Sequence, residues 1–265
     1  MGNTVDISLW SMLICYLMAA GIVTLFIRLR LDVTKDLVLA LVRMSVQLVA
    51  ASLVLKYLFA INNVVLILLL FLVMSGFAAN IILKRSKTAH FGIYPKLVLV
   101  VMTVGLSITL IFTTLIARLE PWYEARFFIP LAGMILGNSM NGCALALDRF
   151  FNEITSDRKA VETMLALGAT PFEVSIRYIR TAIRNAALPF ITNMTGMGIV
   201  FIPGLMTGQL LSGTPPLIAV KYQIAIMICI ACSVVFTSLL TLLLSYPKIF
   251  DKRHRLILEA RGPTS

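Results

Sequence analysis

Apolar runs long enough to cross a bilayer recur along the whole chain, and this constrains the fold more than any other feature. A helix needs about 20 apolar residues to span the hydrocarbon core. Seven such spans are expected, at roughly 9–27, 37–58, 62–83, 96–117, 129–148, 190–211 and 217–246. Composition agrees: 59% of the 265 residues are hydrophobic and only 13% are charged. The mean hydropathy is +0.95. A soluble domain needs a charged surface to stay dispersed, so the solvent for much of this surface is lipid. The expected fold is an all-α integral membrane protein, a single polytopic domain over 1–265.

A net charge of +11 raises the question of nucleic acid, but the positions of the charges exclude it. Basic residues sit between apolar runs, not in one patch, and suit anionic lipid headgroups. Most of the 23 basic residues fall in alternate loops: Arg28, Arg30 and Lys35; Lys84, Arg85, Lys87 and Lys96; the stretch from Arg149 to Arg184; and the tail from Lys248 to Arg261. The opposite loops hold Arg118 and Arg126, offset by Glu120 and Glu124. This asymmetry places the N-terminus outside and the C-terminus in the cytoplasm. Met1 to Ser8 carries Asp6 and no Lys or Arg, so the first run reads as a retained span and not a cleaved signal. Cys15, Cys143, Cys229 and Cys232 lie inside apolar runs and form no disulfide framework.

The stretch between the fifth and sixth spans reads as a cytoplasmic helical hairpin, about 155–188. Val161, Met164 and Leu165 recur at helical spacing, with Asp157, Arg158, Lys159 and Glu162 facing elsewhere. Gly168 suits a helix C′ position, where positive φ is required. Thr170 is an N-cap, Pro171 fits N1, and Glu173 at N3 completes a capping box. Leu167-Gly168-Ala169-Thr170-Pro171 is therefore a sharp corner between two helices. It lies either on the inner leaflet or in a groove of another protein.

Several strings together resemble the FetB-type family of iron-export ABC permeases, related to the plant aluminium-sensitivity permease. They are Leu53-Val54-Leu55-Lys56-Tyr57; Pro130 to Met140; Leu167 to Pro171; Pro203-Gly204-Leu205-Met206-Thr207-Gly208; and Ala219-Val220-Lys221-Tyr222-Gln223-Ile224. ABC permeases of importer type carry Glu-Ala-Ala, three residues, then Gly. Here Glu162-Thr163-Met164 stands six residues before Gly168, and Pro189 follows, a partial match. The resemblance implies a permease homodimer in a bacterial inner membrane, exporting iron or a related substrate. It also implies a separate ATPase subunit that holds the ATP and docks on Glu162, Leu165, Leu167, Gly168, Ala169, Thr170 and Pro171. The chain itself carries no Gly-x-x-x-x-Gly-Lys-[Ser/Thr] phosphate loop, so it is read as a transporter subunit, not an enzyme, with no cofactor of its own.

Polar groups inside spans mark candidate pathways, because each is costly in lipid. Arg43 and Gln47 share one helix face, where Arg43 either lines a pathway or snorkels to the inner headgroups. Gly133-x-x-x-Gly137 permits close helix approach in the fifth span, and Asn138 and Asn141, amid Gly133, Gly137 and Gly142, suit an inter-helix bond or a weak cation site. The sixth span is interrupted at Gly196, Gly198, Pro203, Gly204 and Gly208, the pattern of a broken helix lining a cavity. Met134, Met140, Met194, Met197 and Met206 cluster in these two spans, as gap-fillers or as ligands for a soft ion. The two histidines, His90 and His254, fall in cytoplasmic segments, and no carboxylate sits mid-span, so no strong iron cage is expected. An organic solute or a metal chelate is the alternative cargo, and an ion-coupled secondary transporter the alternative class.

Overall fold

A computed structural model describes residues 7–86, 92–251, 253 and 255–257. Asp6, Lys87, His90, Lys252, His254 and Arg261 lie outside the described residues. The described chain is helical, with only two isolated β-bridges. It forms two compact units, divided between Ile61 and Asn62.

The first unit is a helical hairpin of α1 (Leu9–Arg28) and α2 (Thr34–Ile61). Ser8 caps α1 by accepting the Ser11 N–H. The turn between the helices is tight, with Arg30 at φ 52°. Tyr16 Oη and Ser45 Oγ, 2.7 Å apart, form a hydrogen bond from one helix to the other. No side chain of α1 is buried, and its Leu, Ile and Met residues point outward. Such an apolar surface is stable against lipid and not against water.

The second unit holds α3 (Val64–Ser86), α4 (Tyr94–Leu110) with a π-helical turn at Ile111–Ile116, α5 (Ala125–Ser156), α6 (Arg158–Ala166), α7 (Pro171–Gly196), α8 (Gly204–Leu211) and α9 (Pro216–Ser245). A 3₁₀ turn, Tyr246–Ile249, ends it. Helix α5 is the centre, packed against α3, α4, α7 and α9. Phe128, Ile135, Leu147 and Phe150 on α5 are fully enclosed. Asn62, at φ 46°, accepts the N–H of Ala125 at 2.9 Å and so pins the start of α5 beside that of α3.

Helices in lipid gain little from hydrophobic attraction, so small residues at the contacts decide the packing. A Cβ at Gly142 would lie 2.5 Å from Val234 Cγ1 of α9, and one at Gly105 of α4 would lie 2.8 Å from Leu136 Cδ2 of α5. Ser139 and Ser233 meet across the same α5–α9 seam at 2.6 Å. The Gly133/Gly137 pair does not serve this purpose within the chain. A Cβ at Gly133 would make an ordinary 3.5 Å contact with Met74, and Gly137 faces open space.

Among the described residues, six helices are long and apolar enough to cross a membrane: α1, α2, α3, α4 with its π turn, α5 and α9. The first five and the last expected spans correspond to these. The sixth does not form one helix over 190–211. Helix α7 runs unbroken through Pro189 to Gly196, a turn follows, and α8 begins at Gly204. Arg177, Arg180 and Arg184 keep the first half of α7 too polar for lipid. Helix α5 also outruns its expected end at 148. Its 32 residues reach about 48 Å, beyond the roughly 30 Å hydrocarbon core, so its last turns extend past the core.

The close approach at Gly142 makes a direct prediction. Gly142→Val should destabilise the protein by about 1–3 kcal/mol through overpacking. Gly137→Ala, with nothing within 4 Å, should leave the unfolding midpoint in the same detergent unchanged.

Candidate functional site

The corner between α6 and α7 is built entirely by local chemistry. Gly168 takes φ +96°, a conformation that favours glycine. Its N–H donates to Leu165 O and the Ala169 N–H to Met164 O, both at 3.0 Å, which is a Schellman closure. Thr170 then starts α7: its Oγ1 accepts the Glu173 N–H at 3.3 Å, and Glu173 Oε2 accepts the Thr170 N–H at 2.7 Å. The Thr170 N–H bond, and after it the bond that the Thr170 hydroxyl donates to Glu173 Oε2 at 2.8 Å, hold the Glu173 carboxyl below the usual carboxylate range. Pro171 occupies the first turn. The corner predicted at 167–171 is thus present, with α7 starting at Pro171.

Two contacts brace the corner. Tyr178 Oη donates to Asp157 Oδ2 at 3.3 Å, tying α7 to the end of α5, and the Phe172 ring meets Tyr246 edge-on at 5.8 Å. Glu162 pairs with Arg158 at 2.7 Å. Of the apolar positions on α6, only Val161 is buried. Met164 is 40% and Leu167 83% exposed. Beside α6 the chain's last described residues return: Phe250 bridges to Leu256, and Asp251 accepts the N–H groups of Arg253 and Arg255. Asp251, Arg253, Arg255 and Leu256 bound, with Glu162 and Leu165, a cavity of about 660 Å³. Nothing in the tail's sequence marked this return, since it depends on where α9 ends.

Two further cavities lie along α7. One, of about 350 Å³, is bounded by Asn138 and Asn141 of α5, Pro189 and Asn193 of α7, and Arg85 of α3. Arg85 Nη1 donates to Asn141 Oδ1 at 2.9 Å. Asn138 Nδ2 donates to Met134 O at 2.8 Å, leaving its carbonyl oxygen available. Proline has no N–H, so Pro189 also withholds the helical donor from the Asn185 carbonyl. Arg85 is the residue the sequence alone missed. It counted there as one more cytoplasmic loop charge.

The other cavity, of about 520 Å³, is formed by the break after α7. Met194, Met197, Pro203, Met206 and Met227 line it with Gln223, whose side chain is 5% exposed and whose Oε1 has no hydrogen-bond partner. Gly198 takes φ +82° to make the turn, and its N–H donates to Phe201 O. Gly204 opens α8 next to this cavity. Met134 and Met140 do not line it. Arg43 and Gln47 stand exposed on α2 in the first unit. Among the described residues no group of three His, Cys, Asp or Glu side chains is placed to hold a metal ion.

The family described as "Uncharacterised protein family (UPF0014)" matches residues 9–250. "Probable iron export permease protein FetB" of Escherichia coli (strain K12) is 32% identical over 86% of this chain and 86% of its own length. "UPF0014 membrane protein YjkA" of Bacillus subtilis (strain 168) is 32% identical over 84% and 88%. "Protein ALUMINUM SENSITIVE 3" of Arabidopsis thaliana is 28% identical over 85% and 81%. No solved structure matches the chain.

The capping box predicts a pH dependence. Its carboxyl titrates lower in the folded chain, so its support is complete above the ordinary Glu value near 4.3 and is lost as pH falls through the lower folded value. Amide exchange in the first turn of α7, corrected for the intrinsic rate, should stay flat from pH 7 to about 5 and rise only below about 4. Thr170→Ala should speed it about five-fold throughout, one lost cap's worth.

Proposed function

Because the chain belongs to the UPF0014 family, we propose that it is the membrane-spanning permease subunit of an ABC transporter in a bacterial inner membrane, exporting iron or another metal ion with a separate ATPase subunit as its motor. The corner at Leu167–Pro171 carries the reading. A stiff, doubly capped elbow with bare Met164 and Leu167 at its surface suits a groove on another protein better than water. The name of the Escherichia coli relative, an iron export permease, supports the cargo class.

In this reading the whole chain works as one permease domain and two copies pair in the membrane. ATP binds the partner subunits, and the permease needs no cofactor of its own. The ATPase contacts Glu162, Leu165, Leu167, Gly168, Ala169, Thr170 and Pro171. Helix α7 continues from this elbow past both cavities, so a tilt imposed at Pro171 reaches Asn193 and Met194 through a single helix. The pathway candidates are Asn138 and Asn141 at one cavity, and Met194, Met197, Pro203 and Gly204 at the other. Arg43 and Gln47 on α2 are polar groups on an apolar helix and join the pathway on that ground. An organic solute or a metal chelate remains the second cargo class, supported by the absence of a carboxylate or imidazole cluster among the described residues.

Co-purification with the ATPase tests the elbow. Gly168→Arg should abolish it, because a long cation would fill the docking surface. Gly168→Ala imposes the same positive-φ strain without the bulk and should retain it. Equal recovery with Gly168→Arg and the native chain would remove the elbow from the interface. For cargo, cells lacking the protein should accumulate iron under iron load. Unchanged iron with another metal or solute altered would replace iron as the substrate.

A further inference from the structure

The polar cavity between α3, α5 and α7 has a charge its sequence did not reveal. By helical rise, Asn138 and Asn141 lie about 20 and 24 Å from the outer end of α5, in the inner half of the bilayer. Arg85 stands near the inner end of α3. Helical side chains lean toward the N-terminus of their helix, and α3 starts outside, so the Arg85 side chain leans into the membrane and away from the cytoplasmic headgroups. Its bond to Asn141 holds it there. Arg85, Asn138, Asn141 and Asn193 are exposed on the unit, yet a guanidinium and three amides do not suit lipid. Among the described residues no carboxylate lines the cavity. The nearest acid on that face of α5, Asp148, is two turns further toward the cytoplasm and about 10 Å away along the axis.

A bare divalent or trivalent cation would meet the charge of Arg85 with only neutral amide oxygens such as that of Asn138, and no carboxylate among the described residues, to offset it. An oxyanion would meet the remaining N–H groups of the guanidinium fork and the amide N–H groups of Asn141 and Asn193. Resting on the permease reading above, we propose that this cavity binds an oxyanion, so that metal cargo occupies it as an anionic carboxylate or phosphate complex and not as the free ion. Its 350 Å³ is enough for a small polycarboxylate. The lack of a metal-ligand cluster among the described residues is consistent with this, because the ligands travel with the metal.

The test uses the full-length permease, without ATPase, in nanodiscs of zwitterionic lipid. Citrate, ferric citrate, inorganic phosphate and Fe(II) are each titrated against the native chain, Arg85→Gln, Arg85→Lys, Asn193→Ala and Asn138→Leu. At least one anion should bind the native chain, ten-fold or more weaker to Arg85→Gln and partly restored in Arg85→Lys. Fe(II) should neither bind nor compete. Asn193→Ala removes an amide donor without touching the charge and should weaken the same anion, which keeps the test decisive if Arg85→Gln does not fold. Anion binding indifferent to both substitutions, or Fe(II) binding that Asn138→Leu abolishes, would overturn the proposal. So would loss of anion binding on adding phosphatidylglycerol, which would make the site a lipid headgroup site. Since no ATPase is present, failure here leaves the Gly168 result standing, and failure at Gly168 leaves this one standing.

Discussion

The near contact of α5 and α9 at Gly142 governs the larger unit. Lipid offers no strong reason for two apolar helices to associate, so the gain comes from dispersion at short range and from polar bonds shielded from water. Gly142 permits the approach to Val234, and the Ser139–Ser233 bond one turn away fixes its register. With α5 locked to α9 and flanked by α3, α4 and α7, it can continue as one rod beyond the hydrocarbon core. That continuation carries Asp157, which Tyr178 and Arg177 of α7 grip in turn. The elbow is therefore held out from the membrane by the same helix that forms the core within it.

Helix α7 converts this into a connection between surfaces. At its N-terminus, Thr170 and Glu173 close the elbow. Near its C-terminus, Asn193 and Met194 face different cavities. One helix spans both, with a single missing hydrogen bond at Pro189. The break beyond Gly196 is tolerated because the freed backbone borders a cavity and an internal bond, Gly198 N–H to Phe201 O, takes up one donor.

Much of this architecture was legible. The spans followed from the lengths of the apolar runs, and the elbow from residues adjacent in the chain: a glycine for positive φ, a threonine, a proline and a glutamate at fixed offsets. Where reading from the chain went astray, the cause was a local signal overridden by packing. Pro189 and the triple Arg of α7 look like a boundary, yet α7 passes through both because α5 and α9 support it. Gly133 and Gly137 look like the helix contact, yet Gly142 makes it, because Val234 of α9 lies opposite Gly142 and opposite neither of them. Spacing along one helix does not say which neighbour faces it.

The amino-acid order alone determined that the chain lives in lipid and that a capped corner stands between its apolar runs. Those properties depend on the length and charge of contiguous segments, and each segment meets its solvent without reference to the others. Tertiary structure decided which polar groups share a cavity. Arg85 and Asn141 are 56 residues apart, and only the packing of α3 on α5 makes a loop charge and a helix amide into one site.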